Sequence, residues 1–77
     1  MPHVHVKMYA GRSDGEKQDL ADRITQAVTT ALGHDDDAVS VAIEDVQPTD
    51  WMVEVYDRDI RANEDRLFKQ PGYSPLK

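Results

Sequence analysis

The chain has 77 residues and a net charge of −6, with 15 acidic residues against 9 lysines and arginines, and it contains no cysteine. This acidic balance argues against nucleic acid as a partner, because binding to phosphates is driven by basic side chains. No apolar run approaches the roughly 20 residues that span a bilayer, and the polar start MPHVHVK lacks the apolar segment of a signal peptide. The sequence therefore predicts a cytoplasmic protein with no membrane partner.

The length predicts a single domain over residues 1–77 with a small core. A domain of this size buries only about 60% of the surface that its unfolded chain exposes. Without cysteine no disulfide can brace the fold. We therefore expect a second subunit to complete the structure.

The first predicted elements are a strand and a helix. Apolar and polar residues alternate from His3 to Tyr9, which is typical of a half-buried strand. A helix is predicted to begin near Asp14, because Ser13 and Glu16 have the spacing of a capping box, and to end at Gly33. One face of this helix carries an apolar stripe, which is formed by Leu20, Ile24, Ala27, Val28, Ala31 and Leu32.

A second strand is predicted over residues 39–44, where apolar and polar residues alternate again, and Pro48 closes the segment. Two strands joined by a helix form a βαβ unit, which is parallel and almost always right-handed. Two strands are not stable alone in water, and one helix covers one face of a sheet. The predicted fold class is α+β, built on this βαβ unit, with the sheet completed by dimerisation.

The last third of the chain is less regular. Residues 51–56 could form a short extended stretch, and residues 57–69 are predicted as a second helix. Four residues are available for packing there: Tyr56, Ile60, Leu67 and Phe68. Pro71, Gly72 and Tyr73 are expected to end the helix, and residues 74–77 to form a loose tail.

Pro2 is the first candidate for chemistry. It is small enough for Met1 to be cleaved, which leaves a secondary amine at the head of the first strand. A free α-amino group titrates at about pH 8, and apolar walls with a nearby arginine bring its pKa toward neutrality, where a proton shuttle works best. The dipeptide alone is common, and Pro2 could simply begin the chain.

Three histidines raise the question of a metal site. His3 and His5 share a strand face, but His34 stands at the far end of a helix, whereas metal sites use three or four convergent ligands. The acidic run at residues 35–37 lacks the glycine and distal glutamate of a calcium loop. We therefore expect no metal.

The order and spacing of several segments resemble a known family. Pro2, the alternating strand, the GRSD segment at residues 11–14, the helix and the VSV segment at residues 39–41 follow one another in sequence. This frame resembles the 4-oxalocrotonate tautomerase family of the tautomerase superfamily almost without gaps through residue 46 or so. Trp51 and the KQPGY ending at residues 69–73 resemble a longer bacterial subgroup of that family.

The resemblance implies a cofactor-free isomerase with a MIF-like fold that catalyses keto–enol or dienol proton transfer. The implied partner is a small-molecule carboxylate, either an arylpyruvate enol or an acid similar to 2-hydroxymuconate. Pro2 would act as general base and then as general acid. Arg12 matches the family arginine that binds a substrate carboxylate, and in the family this arginine can enter the site from a neighbouring subunit.

The resemblance also assigns substrate-binding positions to Ser40 and Trp51. Ser40 stands where the founding members carry a second arginine, so a diacid should gain little over a monoacid. Trp51 stands where the family places an aromatic pocket residue, although a single tryptophan could equally anchor a core or an interface. Arg12 could be a solvated charge, but a cation just ahead of a helix N-terminus opposes the helix dipole, which favours a functional role.

Three alternatives stay open at this stage. A non-catalytic dimeric binding or scaffold protein on the same fold would be favoured if Met1 were retained, because Pro2 would then be an amide without a basic nitrogen. A haloacrylate dehalogenase or hydratase of the superfamily would need a water activator, for which Glu44 and Asp50 are candidates by location alone. The resemblance permits a dimer or a hexamer, and the densely charged segment at residues 57–69 favours the dimer.

Overall fold

A computed structural model describes residues 1–73, so the predicted tail at residues 74–77 lies outside the described residues. The contacts of the chain divide it into two compact units, the first spanning Met1–Asp45 and the second beginning at Val46. The expected single domain over residues 1–77 stays a prediction.

The first unit holds a strand, a helix and all of a second strand except its last residue, Val46. Strand β1 spans His3–Tyr9, helix α1 spans Asp14–Leu32, and strand β2 spans Ser40–Val46. The two strands are parallel neighbours in a two-stranded sheet, and a short 3₁₀ turn at Asp36–Ala38 leads into β2. The predicted α+β class with its βαβ unit is confirmed. Strand β2 begins one residue later and ends two residues later than the alternation predicts.

Both ends of α1 lie where the capping residues place them. The Ser13 hydroxyl accepts a hydrogen bond from the Glu16 N–H over 3.1 Å, and a Glu16 carboxylate oxygen accepts one from the Ser13 N–H over 3.1 Å. Gly33 follows the helix with a φ of 72°, and its N–H donates to the Thr29 carbonyl over 3.0 Å. A left-handed φ favours glycine because it has no Cβ. The predicted capping box and C-cap are both confirmed.

The first unit covers its apolar face only in part. Within Met1–Asp45 no residue is fully buried. The half-buried apolar side chains of β1 and α1 are Val4, Val6, Met8, Leu20, Ala21, Ile24 and Val28. The C-terminal part of the predicted helix stripe is exposed, and Leu32 keeps 62% of its surface accessible. One chain therefore leaves apolar helix surface uncovered.

The second unit is helical where an extended stretch was predicted. A 3₁₀ turn at Pro48–Asp50 leads into a π-helical segment at Met52–Ile60, which continues as a 3₁₀ segment at Arg61–Arg66 with a kink at Asn63. The Arg61 N–H donates to the Tyr56 carbonyl, five residues back. The predicted strand at 51–56 is wrong, and the predicted helix at 57–69 begins earlier and ends at Arg66.

Burial explains why these residues are helical. Val53 and Val55 would share one face of a strand, yet Val53 is 61% exposed while Val55 is 5% exposed. Among the described residues, Val46 and Val55 are the buried ones. Tyr56, Ile60 and Leu67 are half-buried as packing residues, whereas the expected packing of Phe68 is wrong because its side chain is fully exposed.

Across residues 1–73, none of the helices combines the length and the apolar composition needed to cross a bilayer.

Candidate active site

Pro2 lies directly before β1, at the start of the sheet. Its carbonyl oxygen accepts a hydrogen bond from the Ser40 N–H over 3.2 Å. Proline has no N–H to donate to a strand ladder, so the nitrogen of Pro2 takes no part in this pairing. Pro2 is half-buried, while the preceding Met1 is 95% exposed. The backbone of β2 thus fixes the position of Pro2.

The Ser40 side chain lies beside the same strand end. Its hydroxyl oxygen is 2.7 Å from Nδ1 of His3, and both residues are exposed. Further along the same two strands, Nε2 of His5 is 2.9 Å from a carboxylate oxygen of Glu44. The structure therefore brings Pro2 and Ser40 together and adds His3 to them. Sequence reasoning missed this contact of His3 with Ser40, although the alternation in both strands already placed the two residues on exposed faces.

Arg12 lies in the loop between β1 and α1. Its Nη1 donates to carboxylate oxygen Oε2 of Glu16 over 3.1 Å, and both side chains are exposed. The hydrogen bond from the Ser13 backbone, followed by the hydrogen bond from Arg12, lowers the pKa of Glu16 from its ordinary value of 4.5. Both hydrogen bonds therefore stabilise the charged form of Glu16. Its spacing of four residues from Arg12 is the signal that could have revealed this pair in the sequence.

A cleft of about 480 Å³ opens beside Arg12, and its walls combine apolar and charged side chains. The lining residues are Met8, Tyr9, Arg12, Glu16, Asp19 and Leu20. A cavity of this size lies within the range of small-molecule sites. The cleft lies where β1 ends and α1 begins.

Pro2 and Arg12 are held at opposite ends of β1. Tyr9 lies seven positions after Pro2, which corresponds to about 23 Å at the rise of a strand. Arg12 stays at the Tyr9 end, because both line the same cleft. The structure of one chain therefore does not bring Pro2 and Arg12 together.

Trp51 lies in the second unit and takes part in an aromatic cluster. Its indole N–H donates to the Tyr73 hydroxyl over 3.0 Å. The Tyr73 ring lies 5.9 Å from the Tyr56 ring, and the Arg61 guanidinium lies 5.6 Å from the centre of Tyr56. Sequence reasoning missed Tyr73 as a partner of Trp51, because two residues 22 positions apart in an irregular segment leave no local signal.

Comparison with known proteins identifies the family. The family model described as Tautomerase enzyme matches residues 2–56. A protein named probable tautomerase from Xylella fastidiosa is 51% identical over 76 residues, covering 99% of this chain and 93% of that protein. Tautomerase PptA from Cronobacter sakazakii is 42% identical over 74 residues, covering 95% of this chain and 97% of that protein.

A solved structure supports the same assignment. The crystal structure of TomN, a 4-oxalocrotonate tautomerase homologue in the tomaymycin biosynthetic pathway, superposes with a TM-score of 0.64 at 34% identity. The match covers 69% of this chain and 82% of that chain. The predicted resemblance is thus confirmed, and with it an isomerase function of the tautomerase type. The chain belongs to the tautomerase family.

Proposed function

We propose that the chain is a cofactor-free keto–enol tautomerase acting on a small enolisable carboxylic acid, with Pro2 as the catalytic group once Met1 is removed. The observation that carries the proposal is the hydrogen bond from the Ser40 N–H to the Pro2 carbonyl. It holds Pro2 through its carbonyl alone, so removal of Met1 leaves the anchoring bond in place. The exposed Met1 side chain is accessible for that removal.

In the proposed reaction, Pro2 moves one proton within the substrate. The secondary amine of Pro2 takes the proton from the enol hydroxyl, the oxygen becomes a carbonyl, and the carbon–carbon double bond shifts its electrons toward the distal carbon. The protonated amine then returns the proton to that carbon, which restores the free base. An amine whose pKa lies near neutrality suits both steps.

Arg12 is proposed to bind the substrate carboxylate. A guanidinium offers five N–H donors in a planar fork that matches a carboxylate, and Glu16 is bonded to Nη1 of Arg12. Ser40 would add a neutral hydroxyl beside Pro2. We infer that the substrate is a monocarboxylate of the arylpyruvate enol class, because a hydroxyl supplies no second cation for a diacid.

The proposed site requires two copies of the chain. Pro2 and Arg12 lie at opposite ends of β1, so an arginine beside Pro2 has to come from another subunit. In the described two-stranded sheet each strand has a neighbour on one side, which leaves an edge for pairing. Two-fold antiparallel pairing places the end of one strand beside the beginning of its partner. A homodimer formed in this way would supply Arg12 in trans, and Trp51 is proposed as an apolar wall of the same site.

The N-terminus provides the deciding experiment. The intact mass of the purified protein should correspond to the chain without Met1, and this protein should convert the enol of an arylpyruvate to the ketone. A matched protein with one extra glycine before Pro2 should keep the same circular dichroism and urea midpoint while losing turnover. A mass that includes Met1, or full turnover by the folded blocked protein, would contradict the proposal.

A further inference from the structure

Glu16 holds two different groups with its two carboxylate oxygens. Oε1 accepts hydrogen bonds from the backbone N–H of Ser13 over 3.1 Å and from the Ser13 hydroxyl over 3.3 Å. Oε2 accepts the hydrogen bond from Arg12 over 3.1 Å. Because the capping box fixes the carboxylate at the start of α1 whether or not Arg12 is bound, Glu16 is the fixed member of the pair. Arg12 is the member that can turn toward a ligand.

The charges in the cleft are not balanced for an anion with two carboxylates. Arg12 is the single cation among the described lining residues, and Glu16 and Asp19 are the two carboxylates. Asp19 is paired with Arg23 on the same helix over 3.0 Å. Arg12 and Glu16 together form a nearly neutral pair. A first ligand carboxylate can bind the remaining donors of Arg12, but a second meets no further cation in the lining and is repelled by Glu16.

We propose that Glu16 is a specificity-determining residue that limits the Arg12 cleft to acids with one carboxylate and an apolar tail. Met8, Tyr9 and Leu20 provide the apolar part of the lining. Glu16 acts on the substrate through charge and through Arg12, and it takes no part in the proton transfer. The turnover part of this inference rests on the proposed function, whereas the binding part does not.

The variant that tests this role is Glu16→Gln. Glutamine also completes a capping box, so the start of α1 is preserved while the charge is removed. Asp22→Asn is the matched control, because it removes one negative charge from the same helix outside the cleft lining. The Asp22 carboxylate accepts a hydrogen bond from Gln18, a contact that an asparagine oxygen can also accept.

The experiment compares two enol acids with the same skeleton, one carrying a single carboxylate and the other carrying two. Glu16→Gln should raise the ratio of kcat/KM for the diacid over the monoacid by about threefold to tenfold at low ionic strength, the size expected for one nearby exposed charge. The gain should shrink in 0.5 M salt, because the Debye length there is about 4 Å and the repulsion from Glu16 is strongly screened. Asp22→Asn should leave the ratio within about twofold of the wild-type ratio.

A binding measurement separates this inference from the proposed reaction. Phenylacetate and homophthalate, two unreactive acids that differ by one carboxylate, are titrated into each protein while the Met8 methyl resonance is followed by NMR. The dissociation constants should favour phenylacetate in the wild type, and Glu16→Gln should narrow that preference. An unchanged preference, or an equal change in Asp22→Asn, would overturn the role of Glu16. Absence of turnover with intact binding selectivity would instead count against the proposed function alone.

Discussion

The Ser40 N–H donates to the Pro2 carbonyl over 3.2 Å, and the Ser40 hydroxyl lies 2.7 Å from Nδ1 of His3. The first bond uses the backbone, which every residue except proline can provide at position 40. The second uses the side chain. The anchoring of Pro2 and the chemistry of the Ser40 hydroxyl can therefore be separated by substitution.

Ser40→Ala should keep the strand register and lose the hydroxyl. We expect kcat/KM for an arylpyruvate enol to fall by about twofold to tenfold, the range of one neutral hydrogen bond. The urea midpoint should change little, because the hydroxyl is exposed. Ser40→Arg tests the same position in the other direction, since an added cation should improve the use of a diacid relative to a monoacid. A Ser40→Ala protein that unfolds would show that the hydroxyl is structural instead.

Arg12→Ala should damage substrate use far more than folding. Loss of a charge-assisted hydrogen bond to the substrate carboxylate should lower kcat/KM by about tenfold to a hundredfold. Arg12→Lys keeps the charge but not the planar fork. Its kcat/KM should lie between those of the wild type and Arg12→Ala. Arg66→Ala, which removes an exposed arginine from the second unit, serves as the control. Full activity in Arg12→Ala would leave this residue without a role in binding.

Lys17 links α1 to β2, and this contact should make the stability of the fold fall at alkaline pH. Its Nζ donates to an Asp45 carboxylate oxygen over 2.7 Å, and this hydrogen bond raises the pKa of Lys17 above its ordinary value of 10.5. A raised pKa in the folded state means that the stabilisation is complete below the unfolded pKa and is lost as pH rises through the folded one.

Urea unfolding between pH 8 and pH 12 checks this dependence. The wild-type midpoint should fall across the alkaline part of the range by more than that of Lys17→Gln, which has no charge to lose. Asp45→Asn should behave like Lys17→Gln, because it removes the acceptor that raises the pKa. Parallel curves for all three proteins would mean that the pair contributes nothing measurable to stability.

The first unit could be predicted closely because its signals are local. Ser13 and Glu16 mark the start of α1, Gly33 marks its end, and alternation marks both strands. Such signals depend on residues within four positions of one another. The family resemblance added the candidate site, which no periodicity contains.

The second unit could not be predicted because its structure depends on burial. The WMVEVY segment at residues 51–56 is rich in β-branched and aromatic residues, which favour an extended stretch. The burial of Val55 but not Val53 fits a helix instead. The contact of Trp51 with Tyr73 likewise joins residues 22 positions apart, and a sequence pattern does not predict which residues meet over that separation.

The last prediction concerns assembly. We expect a homodimer and not a hexamer, because Leu32 on α1 is exposed and most of the charged residues at 57–69 are exposed too. Exposed apolar surface on α1 favours a partner, whereas a densely charged segment is unfavourable at the centre of an obligate interface. Sedimentation equilibrium at micromolar concentration should give twice the chain mass. Six times that mass would contradict the dimer, and a stable folded monomer would contradict any shared site.

Complementation between two impaired proteins tests the shared site directly. One protein carries the extra glycine before Pro2 and an intact Arg12, and the other carries an intact Pro2 with Arg12→Ala. If Arg12 acts on the partner's Pro2, each mixed dimer contains one complete site, so an equal mixture unfolded and refolded together should recover about a quarter of the wild-type activity. Each protein refolded alone should show at most the residual activity of Arg12→Ala, about a tenth of the wild-type value or less. If both residues acted within one chain, no mixed dimer would contain a complete site, and the mixture would be as inactive as its components.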